Sequence, residues 1–329
     1  MPKKRILVTG GAGFVGSNFC NAQAEKYDVV ALDNLFLGDP EHLSPSVQFI
    51  EGDAADRKTL DSLGTFEYIV HFAGTSSAPM FQQQLIESYK NSLFSHLETL
   101  EFANRIGAKK FLYASTSSLY GNTPPPLNEE QRPLPTNHYS VTKIAMEHIA
   151  ECYQRTHPQL QTIGFRFMSV YGPCEEHKGI YANLISQFIW AMRRGEQPIV
   201  YGDGKQTRDF TNVMDVVQGM TLAMESGKDL RNTVFNIGTG TAANILEIIA
   251  LINGVLGTDL KPNHIENPVT EGYIRLQQAD ISKIQSELGF TPSVKLENGI
   301  RVVVEELNKH TTTSPRNRTH EANAVPKKA

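Results

Sequence analysis

Gly10, Gly13 and Gly16 stand three apart in Thr9-Gly10-Gly11-Ala12-Gly13-Phe14-Val15-Gly16, and Gly11–Gly16 also fits the pattern Gly-x-Gly-x-x-Gly. Glycine permits a tight turn there and lets main-chain N–H groups approach a pyrophosphate, which the positive end of a following helix then meets. The pattern gains meaning from its place. Arg5–Thr9 reads as a buried strand before it, and Gly16–Lys26 as a helix after it. Asp33 closes the next strand, Asp28–Leu32. A carboxylate at that point accepts hydrogen bonds from a ribose 2′-hydroxyl and repels a 2′-phosphate, which favours NAD over NADP. Gly10, Gly13, Phe14, Val15, Gly16, Asp33 and Asn34 are therefore cofactor candidates. The plain alternative is a glycine-rich turn that binds nothing.

Two further strand ends suit the same ligand. Asp53 and Ala54, in Glu51-Gly52-Asp53-Ala54, fall where an adenine edge would lie. Phe72, Ala73 and Gly74 follow His71 at the end of the fourth strand, and two of these three residues are small enough to let a cofactor pass close by. His71 itself reads as a structural strand histidine.

A second group can move a proton. Tyr139 and Lys143 are four apart at the start of a helix, so their side chains share one face. A phenol with a pKa of about 10 is a poor base at neutral pH. A nearby ammonium and a nicotinamide cation both favour phenolate. Such a phenol can exchange a proton with a sugar hydroxyl while the cofactor is reduced. Ala114-Ser115-Thr116-Ser117-Ser118 ends a strand and can present a hydroxyl beside it. Taken alone, Tyr-x-x-x-Lys is common on exposed helices, and the Ser/Thr run could be a polar loop.

The elements that must hold these groups alternate. Val47–Glu51, Tyr68–Phe72, Lys110–Ser115 and Thr162–Phe167 read as further strands. Pro79–Ile106 and Ser140–Thr156 read as long helices. This spacing implies βαβ units and an α/β fold, a Rossmann doubly wound parallel sheet with a smaller C-terminal α/β substrate-binding lobe. Residues 1–172 form the expected cofactor domain, with a returning segment near 211–240. Residues 173–307 form mainly the lobe, and 308–329 a disordered tail. The 329 residues carry 40% apolar side chains and a net charge of −4, enough for a sizeable core and without an overall pull toward nucleic acid or anionic membrane. No apolar run approaches the roughly 20 residues that span a bilayer. Three scattered cysteines favour neither disulfides nor a metal site, so a cytoplasmic chain without metal is expected.

These residues together resemble the extended short-chain dehydrogenase/reductase family, in particular its nucleotide-sugar epimerases and dehydratases. The resemblance runs from about Arg5 to Leu307. It rests on Val8–Gly16, Asp33-Asn34-Leu35, His71–Gly74, Ser115-Thr116, Tyr120-Gly121, Tyr139…Lys143, Arg166…Tyr171-Gly172-Pro173 and Tyr201-Gly202-Asp203-Gly204…Arg208-Asp209-Phe210. It implies that Tyr139 is the acid/base, that Lys143 orients it and binds the nicotinamide ribose, and that Thr116 bonds the reacting sugar oxygen. It also implies cofactor contacts at Asn91 and Ser115. Asn183 and Arg208 match positions that hold the substrate's diphosphate, a role suited to an amide and a guanidinium. The family's second phosphate-binding arginine is missing from Thr270-Glu271-Gly272-Tyr273, where Arg275 is the nearest substitute. Relatives commonly pair two long helices per subunit, so a homodimer through Pro79–Ile106 and Ser140–Thr156 is expected.

The resemblance also guides the choice of reaction. The family's 4,6-dehydratases follow the threonine with Asp-Glu, and its decarboxylases carry glutamate at the position of Ser118. Here Thr116 is followed by Ser117-Ser118. An epimerase needs neither acid. The expectation is NAD-dependent epimerisation of a nucleoside-diphosphate sugar, at C4 as in the UDP-glucose 4-epimerase type. The stretch Tyr171–Gly179 is similar to ADP-glycero-manno-heptose 6-epimerases, whose lysine in His-Lys-Gly is a second acid/base, and Lys178 occupies that place. Ser169 and Gln187 depart from that branch, so heptose epimerisation stays an alternative. The others are a net nucleotide-sugar reductase and a non-catalytic NAD-binding protein.

Overall fold

The computed structural model describes residues 3–268 and 273–313. The chain opens with β1 (Arg5–Thr9), α1 (Phe14–Gln23), β2 (Asp28–Asp33), β3 (Gln48–Glu51), α2 (Arg57–Asp61) and β4 (Tyr68–His71). It continues with α3 (Ala78–Gln83), α4 (Leu85–Arg105), β5 (Lys110–Thr116), α5 (His138–Thr156), β6 (Gln161–Phe167) and β7 (Ser169–Tyr171). The second half holds α6 (Leu184–Arg193), β8 (Ile199–Tyr201), β9 (Thr207–Arg208), β10 (Phe210–Asn212), α7 (Val213–Glu225) and β11 (Thr233–Ile237). After these come β12 (Ala243–Asn244), α8 (Ile245–Leu256), β13 (Asn263–Ile265), α9 (Ser282–Leu288) and α10 (Leu296–Thr313).

Seven strands form one sheet in the order β11-β6-β5-β4-β1-β2-β3, every neighbour parallel. Successive side chains point to opposite faces. Ile6 and Val8 of β1 share a core with Val216, Val217 and Met220 of α7. Leu7 between them shares one with Leu100, Phe102 and Ala103 of α4 and Ala150 of α5. Helices cover both faces, which is why the strands read as unbroken apolar runs. The chain's winding reverses between β1 and β4, opening a crevice at their carboxyl ends. A third core, from α6, α8 and α10, builds the lobe around Ile189, Ile248, Ile249 and Ile300.

The expected helix over Pro79–Ile106 is two helices. Gln84 leaves the helical region at φ −138° and ψ 64°, closing α3 and opening α4. The break lets α3 fold inward and seat buried Phe81, whose ring lies 5.6 Å from Tyr89 and 6.1 Å from Tyr139. α1 starts two residues earlier than expected, because Gly13 is already the extended residue that precedes it. α10 runs through Thr313, beyond the Asn308 at which the disordered tail was expected to begin. The remainder of that tail, and Thr270–Gly272, lie outside the described residues. Among the described residues no helix is long and apolar enough to cross a membrane, and no cluster of His, Cys, Asp or Glu could hold a metal ion.

Candidate active site

The glycine turn is built by close contacts. Gly10 takes φ +69°, and a Cβ on it would lie 2.7 Å from the Ala73 nitrogen. The N–H groups of Gly10 and Gly11 both donate to the Leu32 carbonyl. A Cβ on Gly16 would lie 2.1 Å from the Gly10 carbonyl oxygen, so α1 rests directly on the turn. Gly13 is different: a Cβ there meets only the Gly10 oxygen, at 3.2 Å, and its other side faces the cavity. Asp33 is 8% exposed. Its Oδ2 accepts the Ala12 N–H at 3.0 Å and its Oδ1 the Leu35 N–H at 2.9 Å. Burial pushes this carboxyl up from its usual pKa, and those hydrogen bonds pull it back. Hydrogen bonds to charged groups contribute about 1.5–3 kcal/mol. Asp33→Ala is therefore expected to weaken NAD binding roughly 10- to 100-fold and to narrow the margin against NADP, as read by calorimetric titration with both dinucleotides.

The hydroxyl, phenol and ammonium come from two adjoining elements. Thr116 ends β5, and its Oγ1 accepts the Ser118 N–H at 3.1 Å. Asn137 caps α5 by accepting the Ser140 N–H at 2.9 Å, which fixes Tyr139 in the first turn. The half-buried Tyr139 side chain reaches the same cavity as Thr116. Lys143 is 5% exposed and donates to the Ala114 carbonyl at 3.0 Å, with its Nζ 6.0 Å from the centre of the Tyr139 ring. Burial raises the phenol's pKa, partly offset by Thr116. Burial pulls Lys143 down to about 8, opposed by Glu147. The protein's own surroundings thus hold the phenol neutral. An oxidised nicotinamide beside it would favour the phenolate.

Every candidate residue from the sequence lines one cavity of about 660 Å³. Gly10, Gly13, Phe14, Val15, Gly16, Asp33, Asn34, Asp53, Ala54, Phe72, Ala73, Gly74, Asn91 and Ser115 wall one part of it. Thr116, Tyr139, Lys143, Lys178, Asn183 and Arg208 also reach it. The Ser115 hydroxyl is turned to Glu147, so a cofactor contact from Ser115 would come from its main chain. His71 is structural, as expected: its Nδ1 meets Thr9 Oγ1 at 2.7 Å, and it packs on Phe111. The glycine turn, open at Gly13 above the start of α1, and the adjoining Asp33 suit a dinucleotide.

On the lobe side, Lys178 Nζ donates to buried Glu175 at 2.9 Å and stands 5.3 Å from the centre of the Phe14 ring. Asn183 caps α6, accepting the Ile185 N–H and donating to Ser169 Oγ. Arg208 is not paired with either aspartate near it in sequence. Asp203 is taken by Arg275, and Asp209 accepts N–H groups from Thr239, Gly240 and Ala279. Arg208 instead lies 5.7 Å from the centre of the Tyr273 ring. Arg275, the sequence's substitute for the missing arginine, is an exposed partner of Asp203 outside the cavity wall. Sequence reasoning missed Tyr181, Tyr273 and Gln277, which also line the cavity. Tyr181 ends a short 3-10 turn, and Tyr273 and Gln277 lie outside regular elements, so none carries a periodic signal.

A parallel sheet with a dinucleotide cradle at its switch point and a hydroxyl–phenol–ammonium set beside it defines a nicotinamide-dependent enzyme of the Tyr-x-x-x-Lys type. The profile of the NAD dependent epimerase/dehydratase family matches residues 6–238, and the chain belongs to that family. A putative UDP-glucose 4-epimerase of Methanocaldococcus jannaschii is 31% identical over 94% of this chain and 100% of its own length. A UDP-N-acetyl-α-D-glucosaminuronate decarboxylase of Bacillus cytotoxicus is 28% identical over 92% of this chain and 97% of its own. In structure, the UDP-glucose 4-epimerase of Thermotoga maritima, solved with UDP-glucose, superposes with a TM-score of 0.87 at 33% identity. That match covers 93% of this chain and 99% of the other.

Proposed function

We propose that this chain interconverts a UDP-hexose and its C4 epimer, in the manner of a UDP-glucose 4-epimerase. The observation that carries this reading is the Thr116–Tyr139–Lys143 set in the same cavity as the glycine turn, with Ser117 and Ser118 at the positions where the resemblance places acids in dehydratases and decarboxylases. NAD held by the glycine turn and Asp33 would supply a hydride acceptor from C4 and, in the return step, a hydride donor to the opposite face of C4. Tyr139 takes the proton from the C4 hydroxyl, Thr116 holds that oxygen, and Lys143 stabilises the phenolate. The keto-sugar turns within the cavity to present its other face to the cofactor site, and Tyr139 returns the proton to the C4 oxygen. Arg208, steadied by Tyr273, and Asn183 at the start of α6 grip the diphosphate. Lys178 completes that wall. The test is incubation with UDP-, GDP-, ADP- and CDP-sugars, read by NMR. A C4 epimer formed without net consumption of cofactor supports the reading. Stoichiometric NADH use, or decarboxylation of a uronate, replaces it.

The same reading includes a homodimer. Ile86, Phe94 and Leu97 of α4 and Val141 of α5 are exposed apolar side chains on adjoining helices. Pairing these helices with those of a second copy would cover them. Phe94→Glu is expected to turn a dimer into a monomer in sedimentation equilibrium, whereas a wild-type chain already of monomer mass removes this part of the reading.

A further inference from the structure

We propose that Glu147 is a positioning residue for the catalytic pair, a fixed carboxylate that keeps the buried Lys143 ammonium charged and ties α5 to the strand end bearing Thr116. The inference rests on the proton transfer by Tyr139 described above. Glu147 lies one turn beyond Lys143 on α5, on the same face. Arg166 of β6 grips it with two hydrogen bonds, Nε to Oε1 at 3.0 Å and Nη2 to Oε2 at 2.8 Å. The two side chains are only 7% and 10% exposed. Ser115, the residue before Thr116, donates to the same Oε1. Arg166 is itself held by the Tyr120 hydroxyl at 2.9 Å, and that hydroxyl donates to Asn236 of β11. The carboxylate is thus tied to three strands and cannot follow a moving lysine.

A buried ion pair is a poor source of stability, because desolvation of both charges offsets their attraction. A packing role for Glu147 would be better served by an apolar side chain. Its charge matters because of what surrounds Lys143. Tyr139 and Glu147 face it from its own helix, neutral His71 from β4, neutral His96 from α4, and the Ala114 carbonyl from β5. The histidines are stripped of charge by burial and by Lys143 itself, so neither offers a counter-charge. Arg166 adds a second cation nearby. Glu147 is the carboxylate acting on Lys143, and burial already draws that lysine down to about 8.

The test uses the full chain loaded with NAD and labelled with [13C]lysine. The Lys143 Cε resonance, assigned by its loss in Lys143→Arg, is titrated by NMR. In Glu147→Gln its midpoint is expected to fall by about one pH unit or more. The alkaline limb of NAD reduction by substrate should move down with it. An unchanged midpoint in a folded variant, whatever its melting temperature, overturns the proposal. Should Glu147→Gln fail to fold because Arg166 is left unpaired, the Glu147→Gln/Arg166→Gln variant is compared with Arg166→Gln, and the same fall is required between those two. The titration needs no sugar nucleotide. It therefore stands if the C4 reading fails, and a C4 epimerase whose lysine midpoint ignores Glu147 sinks this inference alone.

Discussion

Tyr139→Phe is expected to leave the chain folded and able to bind NAD while turnover falls by about 10²- to 10⁴-fold, the range that positioned acid–base groups supply. The two effects separate because the ring and the hydroxyl do different work. The half-buried ring lies 6.1 Å from that of Phe81, and phenylalanine keeps that contact. The hydroxyl opens into the cavity near Thr116, and removing it costs at most about 1 kcal/mol of stability. At that size the melting temperature moves by only a few degrees. Turnover instead loses its route for the substrate proton, because Lys143 is committed to the Ala114 carbonyl and Thr116 has no base of its own. Parallel measurement of turnover by NMR, NAD affinity by calorimetry and melting temperature resolves the three quantities. Near wild-type turnover in this variant would remove the phenol from the mechanism. A collapse of NAD affinity would instead recast Tyr139 as a wall of the cofactor site.

What the sequence showed, and what it hid, follows from the range of each signal. β1, Arg5–Thr9, is readable because a strand buried on both faces carries an unbroken apolar run, here Ile6–Val8, running into the glycine turn. The glycine turn is readable because Gly16 is required by main-chain contacts with Gly10 and Gly11 a few residues before it, and Gly10 by its positive φ, although the close approach of Ala73 to Gly10 comes from far along the chain. The break at Gln84 is hidden, since no proline or glycine marks it and its cause is Phe81 reaching Tyr139 more than fifty residues on. The strands β7 to β10, β12 and β13 have two or three residues each, too few for a two-residue period to appear. The state of the Tyr139–Lys143 pair was half legible. Spacing places the two on one face, but that burial raises the phenol and lowers the lysine depends on α3, α4 and β4 closing over them. Glu147 carried a local signal, four residues after Lys143. Its meaning depends on Arg166 and Ser115, which arrive from other strands.

The second large effect is expected at Gly16, where local and tertiary preferences oppose each other. Gly16 is the third residue of α1, and alanine in a helix is favoured over glycine by roughly 0.5–1 kcal/mol. Its Cβ, however, would stand 2.1 Å from the Gly10 oxygen and 2.9 Å from the Gly10 carbonyl carbon and the Gly11 Cα. All three are main-chain atoms, with no flexible side chain to yield, so α1 and the turn must separate by about an ångström to restore contact distance. Overpacking of this kind costs about 1–3 kcal/mol, which outweighs the helical gain. The same displacement moves the N–H groups that would meet a pyrophosphate. Loss of one or two charge-assisted bonds amounts to roughly 10- to 1,000-fold in affinity. Gly16→Ala should thus lower both the melting temperature and NAD affinity. Gly254 in α8 provides the contrast, because nothing lies within 4 Å of a Cβ built there. Gly254→Ala should raise stability by about 0.5–1 kcal/mol and leave NAD binding alone. Opposite signs for one substitution at two helical glycines would locate the effect in the turn, and equal responses would show that α1 does not rest on the cofactor site.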